Sequence, residues 1–164
     1  MELLNHQQIN AKIDRLAMEI LERNTAEQEL YIIGINNRGL ELAERLVSSL
    51  RTISEAPIHL WPLTISPATP LDPGPSLTND VTQLTDKAVL IVDDVANTGR
   101  TLFYAMLPLQ QVLPKKIEVC VLVDRRHKNW PVYVTYSGMD LSTTIEENVL
   151  VTFSGPNGDE ATLE

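Results

Sequence analysis

The chain has 164 residues, a single cysteine and a formal net charge of −9. That length fits one domain with a full core, taken as residues 1–164, and no apolar run in the sequence approaches the roughly 20 residues of a membrane span. Lone Cys120 rules out an intrachain disulfide and makes the cytoplasm the expected address, while the acidic balance argues against a broad nucleic-acid footprint, so RNA is not an expected partner.

MELLNHQQINAKIDRL is polar and periodic, unlike a signal peptide. Ile13, Leu16, Ala17, Ile20 and Leu21 recur at helical spacing and predict an amphipathic helix. LYIIGI (30–35) is short and apolar on both faces, as a buried parallel strand is. NNRG (36–39) reads as a turn, LELAERLVSSL (40–50) as a helix and PIHLWPL (57–63) as a strand. Between 64 and 85 the periodicity is lost, and SPATPLDPGPS carries four prolines in eleven residues. Long loops of this kind are often functional.

KAVLIVDD (87–94) is the next buried strand, and TLFYAMLPLQQVL (101–113) a helix that Pro108 should kink or split. IEVCVLVD (117–124) is a third buried strand, with VYVTYSG (132–138) and NVLVTFS (148–154) as further strands. A closing hairpin is expected through Asn157-Gly158. Strands alternating with helices predict a parallel α/β sheet with a short β-rich tail.

The chemistry concentrates in AVLIVDDVANTGRT (88–101). Ligands of open α/β sheets bind beyond the carboxyl ends of the strands, where Asp93 and Asp94 stand. Adjacent strand residues face opposite sides, so the two acids need not share one proton or one metal. Two ionised carboxylates there suit sugar hydroxyls or water around Mg²⁺. The following loop runs into a helix start, where backbone amides favour a phosphate. Gly99 permits close approach, and Thr98 and Thr101 add hydroxyls. The set describes a site for a ribose 5-phosphate.

VLIVDDVANTGRT resembles the signature of the type I phosphoribosyltransferases, which bind 5-phosphoribosyl 1-diphosphate (PRPP). IIGINNRGLELAERL is similar to that family's first strand-loop-helix. VLVDRRHKNWPVYVTYSG resembles the pyrimidine-operon attenuator/uracil phosphoribosyltransferase branch. The resemblance implies an open, mostly parallel twisted sheet with helices on both faces and a small C-terminal β hood. It implies transfer of phosphoribose from PRPP to a nucleobase, uracil first, with release of pyrophosphate.

By the same resemblance Asp93, Asp94 and Arg38 are the catalytic residues. Asp93, Asp94, Val95, Ala96, Asn97, Thr98, Gly99, Arg100 and Thr101 bind the ribose and 5-phosphate. Asn36, Asn37, Arg38 and Gly39 form a pyrophosphate loop, and Val123, Asp124, Arg125, Arg126 and His127 lie near base and pyrophosphate. Mg²⁺ is the implied cofactor, held by Asp93 and Asp94 through water, and a homodimer or larger homo-oligomer is implied.

Three departures stand out. Asn97 replaces the acid that serves the purine ring in 6-oxopurine members. Residues 64–85 contain no Arg or Lys, so a lid there adds little charge stabilisation. Gly138-Met139-Asp140 lacks the cation usual in that branch. These features motivate an alternative, a non-catalytic PRPP- or nucleotide-binding regulatory protein of the same fold. Of the remaining residues, Cys120 is expected as packing, and Trp61 and Trp130 against the core or a neighbouring subunit.

Overall fold

The computed structural model describes residues 1–144, 146–155 and 158–164. In chain order the elements are β1 (Glu2–Leu4), α1 (His6–Arg23), β2 (Leu30–Ile35), α2 (Asn36–Ile53), β3 (Ile58–Thr64) and β4 (Ser76–Leu77). They continue with β5 (Ala88–Ala96), α3 (Arg100–Ala105), β6 (Lys116–Arg125), β7 (Tyr136–Leu141), β8 (Val149–Gly155) and β9 (Gly158–Leu163). Six strands form one sheet in the order β4-β3-β2-β5-β6-β7. Only β4 runs antiparallel to its neighbour.

All six residues of β2 are buried. Successive side chains along a strand alternate between faces. Ile32 and Leu90 therefore pack with Leu16, Ile20, Leu42 and Leu46 of α1 and α2, while Ile33, Ile91 and Val121 pack with Leu84, Leu102 and Leu109 on the other side. Both faces of the sheet are covered, as the apolar strands predict. A Cβ on Gly34 would stand 2.5 Å from the Leu40 Cα, so glycine lets α2 turn back tightly onto the strand that precedes it. Asn5 begins α1 with a capping box: its side chain accepts from the Gln8 amide and the Gln8 side chain accepts from the Asn5 amide.

Several boundaries differ from the sequence reading. NNRG is the first turn of α2 rather than a separate turn. The helix after β5 stops at Ala105 and resumes as a 3-10 turn over Leu107–Gln111, because Pro108 cannot continue the α ladder. Val132 and Val134 pack against the second core, and the strand starts only at Tyr136. Within 64–85 the chain doubles back as β4, pairs with the end of β3, and then seats Leu84 from a 3-10 turn at Val81–Leu84.

The hood is a separate antiparallel sheet, β1-β9-β8, so the chain's first strand belongs to it. Asn157 of the expected hairpin lies outside the described residues; the flanking strands β8 and β9 pair antiparallel. Asp159, 2% exposed, fastens the hood to the helices. It accepts from Nη1 and Nη2 of Arg45 on α2 and from the Ser154 amide at 2.7 Å, and lies 3.1 Å from His6 Nδ1. Burial pushes its carboxyl up, but Arg45, the Ser154 amide and His6 together leave it below the usual carboxylate range. Among the described residues no helix is long and apolar enough to cross a membrane.

Candidate functional site

Strand β5 carries Asp93 and Asp94 to the carboxyl end of the sheet, between the ends of β2 and β6. The regular alternation slips there: Val92 and Val95 both pack toward the same core. The two acids consequently open onto one cavity rather than onto opposite faces. Asp93 is nearly sealed, and its Oδ1 accepts from the Asp94 amide at 2.9 Å. Burial, the adjacent Asp94 charge and contact with that carboxyl push the Asp93 carboxyl well above its usual range.

The start of α2 forms the opposite wall. Asn36 takes a positive φ of 52°, and its carboxamide is locked to Ile65 by two bonds: Nδ2 donates to the carbonyl at 3.0 Å and Oδ1 accepts from the amide at 2.9 Å. That pair ties the end of β2 to the exit of β3, where the 64–85 segment begins. A Cβ on Gly39 would stand 2.7 Å from the Val92 carbonyl oxygen and 3.3 Å from Asp93 Oδ1, so only glycine lets the helix start abut the acids. Asn37 and Arg38 are exposed, and Arg38 has no ion-pair partner among the described residues. A cavity of about 410 Å³ lies between Asn36–Arg38 and the two acids.

The loop 97–101 turns at Gly99, where φ is 87°. The helix it opens has six residues, so its dipole is short and the loop's own amides and hydroxyls carry most of any anion attraction. Thr98 ties this loop to the β6–β7 connection, its carbonyl accepting from the Asn129 and Trp130 amides at 2.9 and 3.1 Å. Arg100 Nη2 donates to the Pro67 carbonyl at 2.6 Å, and its guanidinium lies 5.9 Å from the centre of the Trp130 ring. The loop lines a second cavity of about 460 Å³, which shares Pro67, Asp93, Val95, Asn97 and Thr101 with the first. Trp130, expected at the core or a subunit contact, lines this chamber.

At the end of β6, Val123 is buried in the core and Asp124 pairs with Lys128 at 2.5 Å. Arg125 is buried and directs its guanidinium to Asn97, Thr143 and Thr144. Arg126 is exposed. His127 Nε2 lies 2.8 Å from the Thr143 carbonyl and must donate, because a carbonyl only accepts. Arg125, His127, Asn97, Thr98 and Asn129 enclose a third cavity of about 250 Å³. The partners of Arg125 are 18 to 28 residues away in sequence, so no local pattern announces them.

Among the described residues no group of three His, Cys, Asp or Glu side chains forms a metal cage. Two carboxylates without a third suit a hydrated divalent cation whose other ligands come from phosphates. His59 is taken by Glu29 at 2.9 Å, and Cys120 is fully buried with its thiol pushed up by desolvation, so it packs rather than reacts.

Residues 1–152 match the family described as Phosphoribosyl transferase domain. The chain is 35% identical to Bifunctional protein PyrR of Bacillus subtilis, covering 91% of this chain and 87% of that protein. It is 34% identical to Bifunctional protein PyrR of Halalkalibacterium halodurans, covering 99% and 96%. Among solved structures, hypoxanthine phosphoribosyltransferase of Trypanosoma cruzi superimposes with a TM-score of 0.76 at 17% identity over 99% and 94% of the two chains. A hypoxanthine-guanine phosphoribosyltransferase from Bacillus anthracis gives 0.74 at 20% identity over 92% and 86%. At those identities the structural likeness is one of fold.

Proposed function

The chain belongs to the phosphoribosyl transferase family, and from that premise we propose that it moves phosphoribose from PRPP to uracil, with Asp93, Asp94 and Arg38 as its catalytic residues. The observation that carries this reading is the shared wall. Both acids open onto the chamber bounded by Arg38, and Asp93 also lines the chamber of loop 97–101. A ribose placed at the acids directs its pyrophosphate toward 36–39 and its 5-phosphate toward 97–101.

In the reaction the bond between C1 and the pyrophosphate oxygen breaks, the C1–N bond to the base forms, and the base's N–H proton leaves to solvent. Positive charge builds on C1 as the leaving group departs. The two acids hold the sugar hydroxyls, and Arg38 meets charge gathering on pyrophosphate. Mg²⁺, when bound, neutralises the diphosphate; Asp93 and Asp94 would hold it through water. Loop 97–101 fixes the 5-phosphate, and of residues 123–127 Arg125 and His127 flank the base. Association into a homodimer or larger oligomer is part of this proposal by family resemblance.

Incubation with PRPP, Mg²⁺ and a panel of bases, following pyrophosphate, tests the assignment. Release that requires an added base, with uracil foremost, is expected. The absence of Arg and Lys from 64–85 favours a second reading, a PRPP-binding regulator. Calorimetric PRPP binding without turnover on any base would select it.

A further inference from the structure

Among the described residues, Asn97 is the one that lines all three cavities. Among the described residues its side chain makes one hydrogen bond: Arg125 Nη1 donates to Asn97 Oδ1 at 3.0 Å. With the oxygen engaged, the amide nitrogen and its two N–H donors are turned away from Arg125. Arg125 is itself 8% exposed and held in place, with Nε donating to Thr143 Oγ1 at 2.8 Å and Nη2 to the Thr144 carbonyl at 2.9 Å. Thr144 is fixed in turn by Glu147, whose Oε2 accepts from its amide at 2.8 Å and its hydroxyl at 3.0 Å.

We propose that Arg125 is a positioning residue: it acts through Asn97, whose amide N–H groups it aims at an oxygen acceptor of the substrate where the three chambers meet. This rests on the phosphoribosyltransfer reading. It departs from a role for Arg125 as a direct pyrophosphate contact, because the guanidinium reaches protein partners along three of its donor directions. A planar fork makes that geometry possible; a lysine carries the same charge but cannot span three acceptors.

The test is a double-mutant cycle in the full chain, reading kcat/KM for uracil and PRPP affinity. Arg125→Met and Asn97→Ala should each lower kcat/KM roughly tenfold, and the double variant should lose no more than either alone. Arg125→Lys should behave like Arg125→Met. Additive losses, or full activity in Arg125→Lys, would overturn the proposal in favour of a charge acting directly on substrate. Asn97→Asp provides a check that spares the fold: it keeps an acceptor for Arg125 but removes the donors, so thermal stability should hold while kcat/KM falls as in Asn97→Ala. Undiminished turnover in Asn97→Asp would also overturn it. Wild-type protein that neither binds PRPP nor releases pyrophosphate would instead defeat the underlying reading, leaving the two failures distinguishable.

Discussion

Asp93 in the cleft and Asp159 in the hood are both nearly cut off from water, at 9% and 2% exposure, yet their carboxyls shift in opposite directions. The difference is the company each keeps. Asp159 receives a guanidinium and a backbone amide. Asp93 faces another carboxylate and, among the described residues, accepts only that neighbour's amide. A buried charge that is paired supports a fold; one left beside a like charge is tolerated where a ligand completes it. The same contrast separates the two ends of the sheet. At the amino ends of the strands Glu29 holds Lys87 and His59, Glu27 holds Lys115 and Glu118 holds Lys116. At the carboxyl ends the only ion pair among the described residues is Lys128 with Asp124.

The sharpest way to break the comparison is Asp93→Asn with Asp94→Asn. Each removed carboxylate forfeits charge-assisted bonds worth about 1.5–3 kcal/mol, so PRPP affinity should fall roughly 10²–10⁴-fold by calorimetry. Stability should not fall. The folded-state pKa of Asp93 is raised, so its favourable contribution exists below the unfolded pKa and is lost as pH rises through the folded one. Burial beside the Asp94 carboxyl disfavours the charged form and burdens the fold, and the amide relieves it. A double variant that melts well below wild type would place Asp93 on the hood's side of the contrast.

Asp159→Asn should do the reverse. Breaking a buried pair costs about 3–5 kcal/mol, and the retained acceptor for Ser154 keeps the loss near the lower figure. Activity per folded molecule should be unchanged. Because the Asp159 pKa is depressed, its contribution is present above the unfolded carboxylate pKa and disappears as pH falls through the folded value. Wild type should lose that increment on acidification while Asp159→Asn, having nothing to lose there, should not. Parallel acid-denaturation curves for the two proteins would contradict the clasp.

Much of this contrast was open to sequence reading, and the part that was not has a physical reason. β2, β5 and β6 are apolar on both faces and announce themselves. The acid pair and Gly99 mark the cleft because a diol and a phosphate need those groups within one turn. β1 and β4 have three and two residues, too short for any period, and exist only through their partners. That both acids open onto one cavity depends on a local slip in alternation between Val92 and Val95, which no strict period-two reading yields. The Arg45–Asp159 clasp joins residues 114 apart.

Arg38→Ala probes the cleft with less at stake. The side chain is exposed and unpaired among the described residues, so its loss should leave stability within about 0.5 kcal/mol. Solvent weakens its charge until pyrophosphate is bound, so kcat/KM should fall about 10–100-fold, mainly in kcat. A drop confined to KM would make Arg38 a binding contact only.

The smallest effect concerns the segment that carries no cation of its own. Arg100 lends it one, donating to the Pro67 carbonyl and standing over Trp130. Asn36 fastens the same segment two residues earlier, through both polar atoms of Ile65. With that second anchor in place, Arg100→Gln should not release the loop entirely. One exposed hydrogen bond and one cation–π contact are together worth about 1–2 kcal/mol, part of which the segment recovers by remaining tied at Ile65. The expected result is about a fivefold higher KM for PRPP at nearly constant kcat, with faster proteolysis confined to 64–85 and slowed again by PRPP. Cleavage that spreads into β3, or a rate that PRPP does not change, would mean that Arg100 supports the sheet rather than the mouth of the cleft.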